Sequence, residues 1–137
     1  MTTRILRIGR RYHFEAAHRL YSKALSQDEN IKIFGKCARV GGHGHNYVVE
    51  ILIEGEADPL SGEVMPREDM NARVKELLLD RVDHRNLEDV ITDEVTTGEN
   101  LAAIFFSWLH DAFGEGRQLV SLRVRETRNN LMESVGV

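Results

Sequence analysis

His43-Gly44-His45-Asn46-Tyr47-Val48-Val49-Glu50-Ile51-Leu52-Ile53-Glu54 reads as a strand with two unlike faces. Residues two apart on a strand point the same way. Tyr47, Val49, Ile51 and Ile53 therefore form an apolar face, while Asn46, Glu50 and Glu54 lie on the other. The same parity runs back to His45 and His43, so two imidazoles stand at the end of the apolar face. Ring nitrogens placed there need partners, because an unpaired buried polar group is costly. Backbone hydrogen bonds answer that need, and so does a divalent cation that accepts both lone pairs. Gly42 and Gly44 flank His43 and allow close backbone approach.

A second strand is predicted over 5–18, where Tyr12, Phe14, Ala16 and His18 share a parity opposite His13 and Glu15. With the two strands adjacent, His18 supplies a third nitrogen. Three histidines and one open position make the donor set of a catalytic zinc site, a Lewis acid for a hydroxyl or carbonyl.

Outward from these strands, the polar stretch Ser22 to Lys36 reads as a loop or short helix. Residues 55–62 supply turn chemistry, and Glu63-Val64-Met65 is expected to return as a short strand. Pro66, an acidic Glu68-Asp69 and an apolar stripe at Met70, Val74, Leu77 and Leu78 predict a helix over about 67–81. A second helix begins near Thr96-Thr97-Gly98-Glu99, with Thr96 and Glu99 as the ends of a capping box. Its expected buried face is Leu101, Ile104, Phe105, Trp108, Leu109 and Ala112, and Gly114 ends it. The last long strand, about 118–127, puts Val120, Leu122, Val124 and Glu126 on one side, with room for a short strand beyond. The pattern is α+β, an antiparallel sheet with two helices on one face. Such a sheet has open edges, which pairing between copies of the chain removes.

Composition bounds the possibilities. The chain has 137 residues, 42% hydrophobic and 29% charged, which fits one globular domain over 1–137. A net charge of −4 argues against a protein that coats nucleic acid. No apolar run approaches the roughly 20 residues of a membrane span, so no membrane partner is expected. The first residues lack the apolar core of a secretory signal. One cysteine excludes an intramolecular disulfide, and a reducing cytoplasmic setting is the expectation.

Several further residues admit two readings. Cys37 is either a small buried hydrophobe or, beside Lys36 and Arg39 in a glycine-rich segment, a thiol poised as a general base. Asp83-His84-Arg85-Asn86 reads by itself as a polar loop after a helix. Glu126 on an apolar parity needs donors. Arg123, Arg125 and Arg128 would supply them by salt bridges, or a ligand would by presenting two adjacent N–H groups, as the edge of a pterin or guanine does. Thr96 and Thr97 either cap a helix or add contacts to the same ring.

Taken in order, the motifs resemble the 6-pyruvoyltetrahydropterin synthase family. They are Phe14-Glu15-Ala16-Ala17-His18-Arg19-Leu20-Tyr21-Ser22-Lys23, Phe34-Gly35-Lys36-Cys37, Gly42-His43-Gly44-His45-Asn46-Tyr47, Asp83-His84-Arg85-Asn86-Leu87, Thr97-Gly98-Glu99-Asn100 and Glu126-Thr127-Arg128-Asn129-Asn130. The resemblance implies a tunnelling fold (T-fold), whose subunits assemble into an oligomeric β-barrel, a hexamer built as a dimer of trimers with pockets between subunits. It implies Zn2+ on His18, His43 and His45, Cys37 as the proton-abstracting base, and Asp83 and His84 as its relay. Glu126 would anchor the pterin ring, assisted by Thr97 and Thr96. The implied reaction turns 7,8-dihydroneopterin triphosphate into 6-pyruvoyltetrahydropterin with loss of triphosphate. Arg4, Arg7, Arg10, Arg11, Lys36 and Arg39 are candidates for holding the triphosphate.

Two alternatives share this site. One is the 6-carboxytetrahydropterin synthase relative of queuosine biosynthesis, which uses the same substrate; the five residues between Cys37 and His43 favour the pyruvoyl branch. The other is a catalytically silent pterin-binding protein, against which the intact Cys37, Asp83 and His84 argue.

Overall fold

β1 (Ile5–His18) and β2 (His43–Glu56) pair antiparallel along their whole length, with His18 opposite His43 and Ala16 opposite His45. This is a computed structural model of the chain, and it describes residues 4–136. Between the two strands lie α1 (Gln27–Phe34) and a 3-10 turn, Gly35–Ala38. After β2 come α2 (Arg67–Val74), a π turn (Lys75–Leu79) and α3 (Asp80–Val82), which together make one continuous helical run. β3 (Arg85–Asn86), α4 (Leu87–Val90), α5 (Gly98–Leu109), β4 (Arg117–Thr127) and β5 (Asn130–Ser134) complete the chain. Among the described residues, no helix is long and apolar enough to cross a membrane.

The sheet order is β3-β1-β2-β4-β5. All pairs are antiparallel except β1 with β3, so the sheet is mixed where a purely antiparallel one is expected from the sequence. The exception is short. Ala16 and Ala17 face Arg85 and Asn86, where the chain leaving α3 is tied to β1 by backbone bonds at Glu15.

The α+β layering follows from the predicted parities. Tyr12, Phe14 and Ala16 of β1 and Tyr47, Val49, Ile51 and Ile53 of β2 are buried on one face, which the helices cover. Phe14 stacks on Tyr47 with ring centres 4.8 Å apart, and Phe105 of α5 meets Phe14 edge-on. Met70, Val74, Leu78 and Val82 are wholly buried at intervals of four. Four residues of ideal α-helix overshoot a full turn by about 40°, and the wider π turn takes up that drift.

One open expectation is resolved as a short helix, and four others change. The polar stretch after Ser22 contains α1, because Ser26 and Glu29 form a reciprocal capping box. Buried Asn30 also donates to the carbonyls of Ser22, Leu25 and Ser26. Glu63–Met65 forms no strand, since Asp58 Oδ1 accepts from the N–H groups of Leu60 and Ser61 and closes a turn instead. The N-cap of α5 is Thr97, whose side chain accepts from the Asn100 N–H, so Thr96 is not the cap and Glu99 stays exposed. The buried face of α5 turns toward Ala102 and Phe106, leaving Ile104 and Trp108 at its margin.

The last change is a β-bulge. Leu52 faces Ser121 and Ile53 faces Leu119, so Val120 is an extra residue and Leu119 takes the core place expected for Val120. Leu119 is 2% exposed. Leu119→Ala is therefore expected to destabilise the fold by about 2–5 kcal/mol. Val120→Ala is expected to cost about 1 kcal/mol or less. Urea unfolding of both variants checks the bulge, and equal losses would contradict it.

Candidate metal centre

The β1–β2 register brings His18, His43 and His45 together, and β4 adds Glu126 from the other side of β2. One donor atom from each of the four lies within 4.8 Å of every other. His18 Nε2 is 3.2 Å from His43 Nε2 and 3.2 Å from Glu126 Oε1, and His45 Nε2 is 3.0 Å from the same oxygen. Donors held about 2.0–2.1 Å from a tetrahedral centre stand roughly 3.3 Å apart, so these separations match the edges of a zinc-like coordination shell.

Direction matters as much as distance. The His45–Glu126 approach does not meet the angular requirement of a hydrogen bond, so His45 Nε2 is buried without a partner. His18 Nδ1 lies 2.8 Å from the Thr96 carbonyl oxygen. A carbonyl only accepts, so Nδ1 carries the proton and Nε2 presents its lone pair to the cluster. No sequence signal marks this role of the Thr96 carbonyl, and the Thr96 hydroxyl is buried and unpartnered. The donor set and the orphaned nitrogen fit a divalent metal ion.

Gly42 makes the approach possible. Its φ is +62°, and a Cβ there would lie 2.2 Å from the His18 carbonyl oxygen. Any side chain at 42 would push the end of β2 off the end of β1. Glu88 fixes the same corner by accepting from the Arg19 N–H, a role with no sequence signal. Burial raises the Glu88 carboxyl above its ordinary range.

Burial pushes His18 below the ordinary imidazole value of 6.5, against the raising influence of the Thr96 carbonyl and Glu126. His45 is pushed down for the same first reason, with Glu126 again opposing. Both rings are therefore neutral and available as ligands at neutral pH. Tyr47 is wholly buried beneath them, and burial together with Glu126 and Glu88 keeps its hydroxyl protonated.

Arg123 pairs with Glu133 and Arg125 with Glu50, so neither supplies the salt bridge considered for Glu126. Val48 faces Arg125, and this register carries Glu126 past Tyr47 toward His45. The parity of Glu126 was readable; which strand lay next to it was not.

Cys37 sits half-buried on the 3-10 turn, and its carbonyl accepts from Leu20 N–H at 2.8 Å. That bond ties the cysteine segment to the chain just beyond His18. Asp83 and His84 lie elsewhere. Asp83 Oδ1 accepts from the Glu15 N–H, and His84 N–H donates to the Glu15 carbonyl. His84 Nδ1 is 3.0 Å from Asp83 Oδ1, and its Nε2 is 3.5 Å from the Glu15 carboxylate. The Glu15 side chain is on the face of β1 opposite His18. His84 also holds a φ of +60°, a backbone state that costs a non-glycine residue about 1–3 kcal/mol. The structure brings Cys37 to the histidine end of β1, and it leaves Asp83 and His84 on the other side of the sheet.

Two outcomes follow from the histidine environment. Between the depressed folded values and 6.5, the unfolded chain binds protons that folded His18 and His45 refuse. Metal-free protein is therefore expected to lose stability as pH falls below about 6.5. Thermal unfolding between pH 8 and 5 checks this, and a midpoint that rises on acidification would contradict it. Gly42→Ala is expected to weaken metal binding at least tenfold in a chelator competition, while unchanged affinity would show that the close approach is dispensable.

The chain is similar to known proteins over nearly its whole length. A family model for 6-pyruvoyl tetrahydropterin synthase matches residues 7–136. The 6-pyruvoyl tetrahydrobiopterin synthase of Homo sapiens is 43% identical over 128 residues, 91% of this chain and 88% of that one. A protein of Archaeoglobus fulgidus, provisionally named 6-carboxy-5,6,7,8-tetrahydropterin synthase, is 32% identical over 112 residues, covering 82% of this chain and 90% of its own. The solved 6-pyruvoyl tetrahydropterin synthase of Caenorhabditis elegans superposes with a TM-score of 0.92 at 37% identity, covering 100% of both chains. With its own residues forming the histidine centre at the end of such a sheet, the chain belongs to the 6-pyruvoyl tetrahydropterin synthase family.

Proposed function

We propose that this protein converts 7,8-dihydroneopterin triphosphate to 6-pyruvoyltetrahydropterin with elimination of triphosphate, as a zinc-dependent carbon–oxygen lyase. The convergence of three imidazoles and a carboxylate at one end of the family's sheet carries the reading. His18, His43 and His45 would hold the zinc ion. When bound, it supplies Lewis-acid stabilisation of negative charge developing on the substrate's side-chain oxygens.

Cys37, as the thiolate, removes a carbon-bound proton beside those oxygens. The electron pair left behind moves toward the dihydropterin ring, which is reduced at the expense of its own side chain. Triphosphate then leaves by elimination, so no separate redox cofactor takes part. Glu126 accepts the two neighbouring N–H groups of the pterin edge, and Thr97 and Thr96 line the same end.

Asp83 and His84 complete the proton relay from another copy of the chain, because each chain holds its own pair on the far side of its sheet. The reading therefore includes subunits pairing edge to edge into a β-barrel, with trimers stacked into a hexamer and pockets between subunits. Lys36 and Arg39 flank Cys37, are exposed, and enter no ion pair among the described residues, which suits them to the triphosphate. Arg11, Arg10, Arg7 and Arg4 precede His18 by seven residues or more along the chain, roughly 23 Å or more for a strand. They lie farther along the chain from the metal end than Lys36 and Arg39 lie from Cys37. The whole chain, 1–137, is taken as one domain working in the reducing cytoplasm.

Mass spectrometry of products from 7,8-dihydroneopterin triphosphate and zinc-loaded protein tests the proposal. A 6-pyruvoyl product is expected; a 6-carboxy product with acetaldehyde would move the protein to the queuosine branch, and no product would leave a pterin-binding role. Cys37→Ala is expected to abolish turnover with metal retained, whereas His45→Ala is expected to release metal. Full activity in Cys37→Ala would overturn the choice of base.

A further inference from the structure

Glu126 stands closer to the histidines than a residue reserved for a ring edge needs to. Its Oε1 is 3.0 Å from His45 Nε2 and 3.2 Å from His18 Nε2, the distances at which two donors share one cation. The His45 contact also lacks hydrogen-bond direction, which leaves that nitrogen buried without a hydrogen-bond partner beside a carboxylate oxygen. Two lone-pair donors brought together in this way repel each other unless a cation lies between them. Arg123 and Arg125 are engaged by Glu133 and Glu50, and among the described residues Glu126 forms no ion pair with Arg128.

Resting on the reading above, we propose that Glu126 is the fourth ligand of the metal in the substrate-free protein, and that substrate side-chain hydroxyls displace it so that both its oxygens turn to the pterin edge. The four residues would then close the metal's protein shell, leaving no open position until a ligand brings replacement oxygens. One carboxylate would thus serve two acceptor roles in sequence. A molecule with hydroxyls but no paired N–H donors offers Glu126 nothing in exchange for the cation. A ring with the N–H edge but no hydroxyls leaves the cation one donor short. Only a pterin bearing a hydroxylated side chain satisfies both, so the displacement would act as a selectivity step before any proton moves.

The test uses the assembled protein loaded with Co2+ or Zn2+ and free of pterin. Chelator competition on wild type, Glu126→Gln and Glu126→Asp is expected to give a metal Kd at least tenfold weaker in both variants. The Co2+ absorption of Glu126→Gln is expected to change because water replaces the carboxylate. Circular dichroism and size-exclusion chromatography establish that each variant is folded and assembled, and the milder Glu126→Asp keeps the charge while withdrawing the oxygen. Neopterin, followed by its own fluorescence, is expected to bind the wild type and shift its Co2+ spectrum, whereas glycerol at the same concentration does neither. Folded variants with wild-type metal affinity and spectrum would overturn the ligation and leave Glu126 as a ring anchor only. Neopterin that binds without a spectral shift would overturn the displacement. Failure of the substrate reading shows separately, as absent neopterin binding and absent product, while the chelator result still decides the ligation.

Discussion

The antiparallel register that sets His18 against His43 is the constraint on which the rest of this molecule depends. A slip of one residue would turn every side chain of one strand to the other face. It would take His18 away from the two histidines of β2 and move Phe14 off Tyr47, so core and site would fail together. The apolar alternation of fourteen-residue strands holds the register energetically, and the metal end inherits its precision from a core that never touches the ion. Gly42 is the local condition for it, because the two strand ends meet with no room for a side chain.

Much of this was legible in the chain itself. Period-two alternation fixes which residues of β1 and β2 face inward, and it carries the three histidines with them. The Met70, Val74, Leu78 stripe marks its helix equally well. What escaped was decided by side chains competing for backbone groups. Asp58 closes a turn where a strand was expected, and Thr97 takes the cap from Thr96. Each is a single hydrogen bond or two, invisible to a pattern of polarity. The nearness of Glu126 to the histidines needed the β2–β4 register, which lies between segments some seventy residues apart, and no local pattern encodes it.

The residues proposed for acid–base work obey a different logic from the proposed metal donors. Cys37 is on a short turn bound to the end of β1, and Asp83 with His84 is bound through Glu15 to the opposite face. Each group is held by backbone hydrogen bonds, and His84 keeps a backbone angle that only such bonding would maintain. On the proposed reading these are two half-sites that one chain does not join by itself. A single copy would then be complete as a fold and incomplete as a reaction centre.

The bulge at Val120 has a consequence for how this strand tolerates length changes. Leu119 and Glu126 both face the same side of the sheet, yet an odd number of positions separates them, which an unbroken strand forbids. The extra residue is a phase shifter that lets one strand serve the core at its start and the histidine cluster at its end. Straightening it would leave the strand a choice between a hole in the core and a misdirected carboxylate. An insertion or deletion near position 120, roughly 20 Å of strand away from the histidines, would therefore act on the chemistry as directly as a substitution within it.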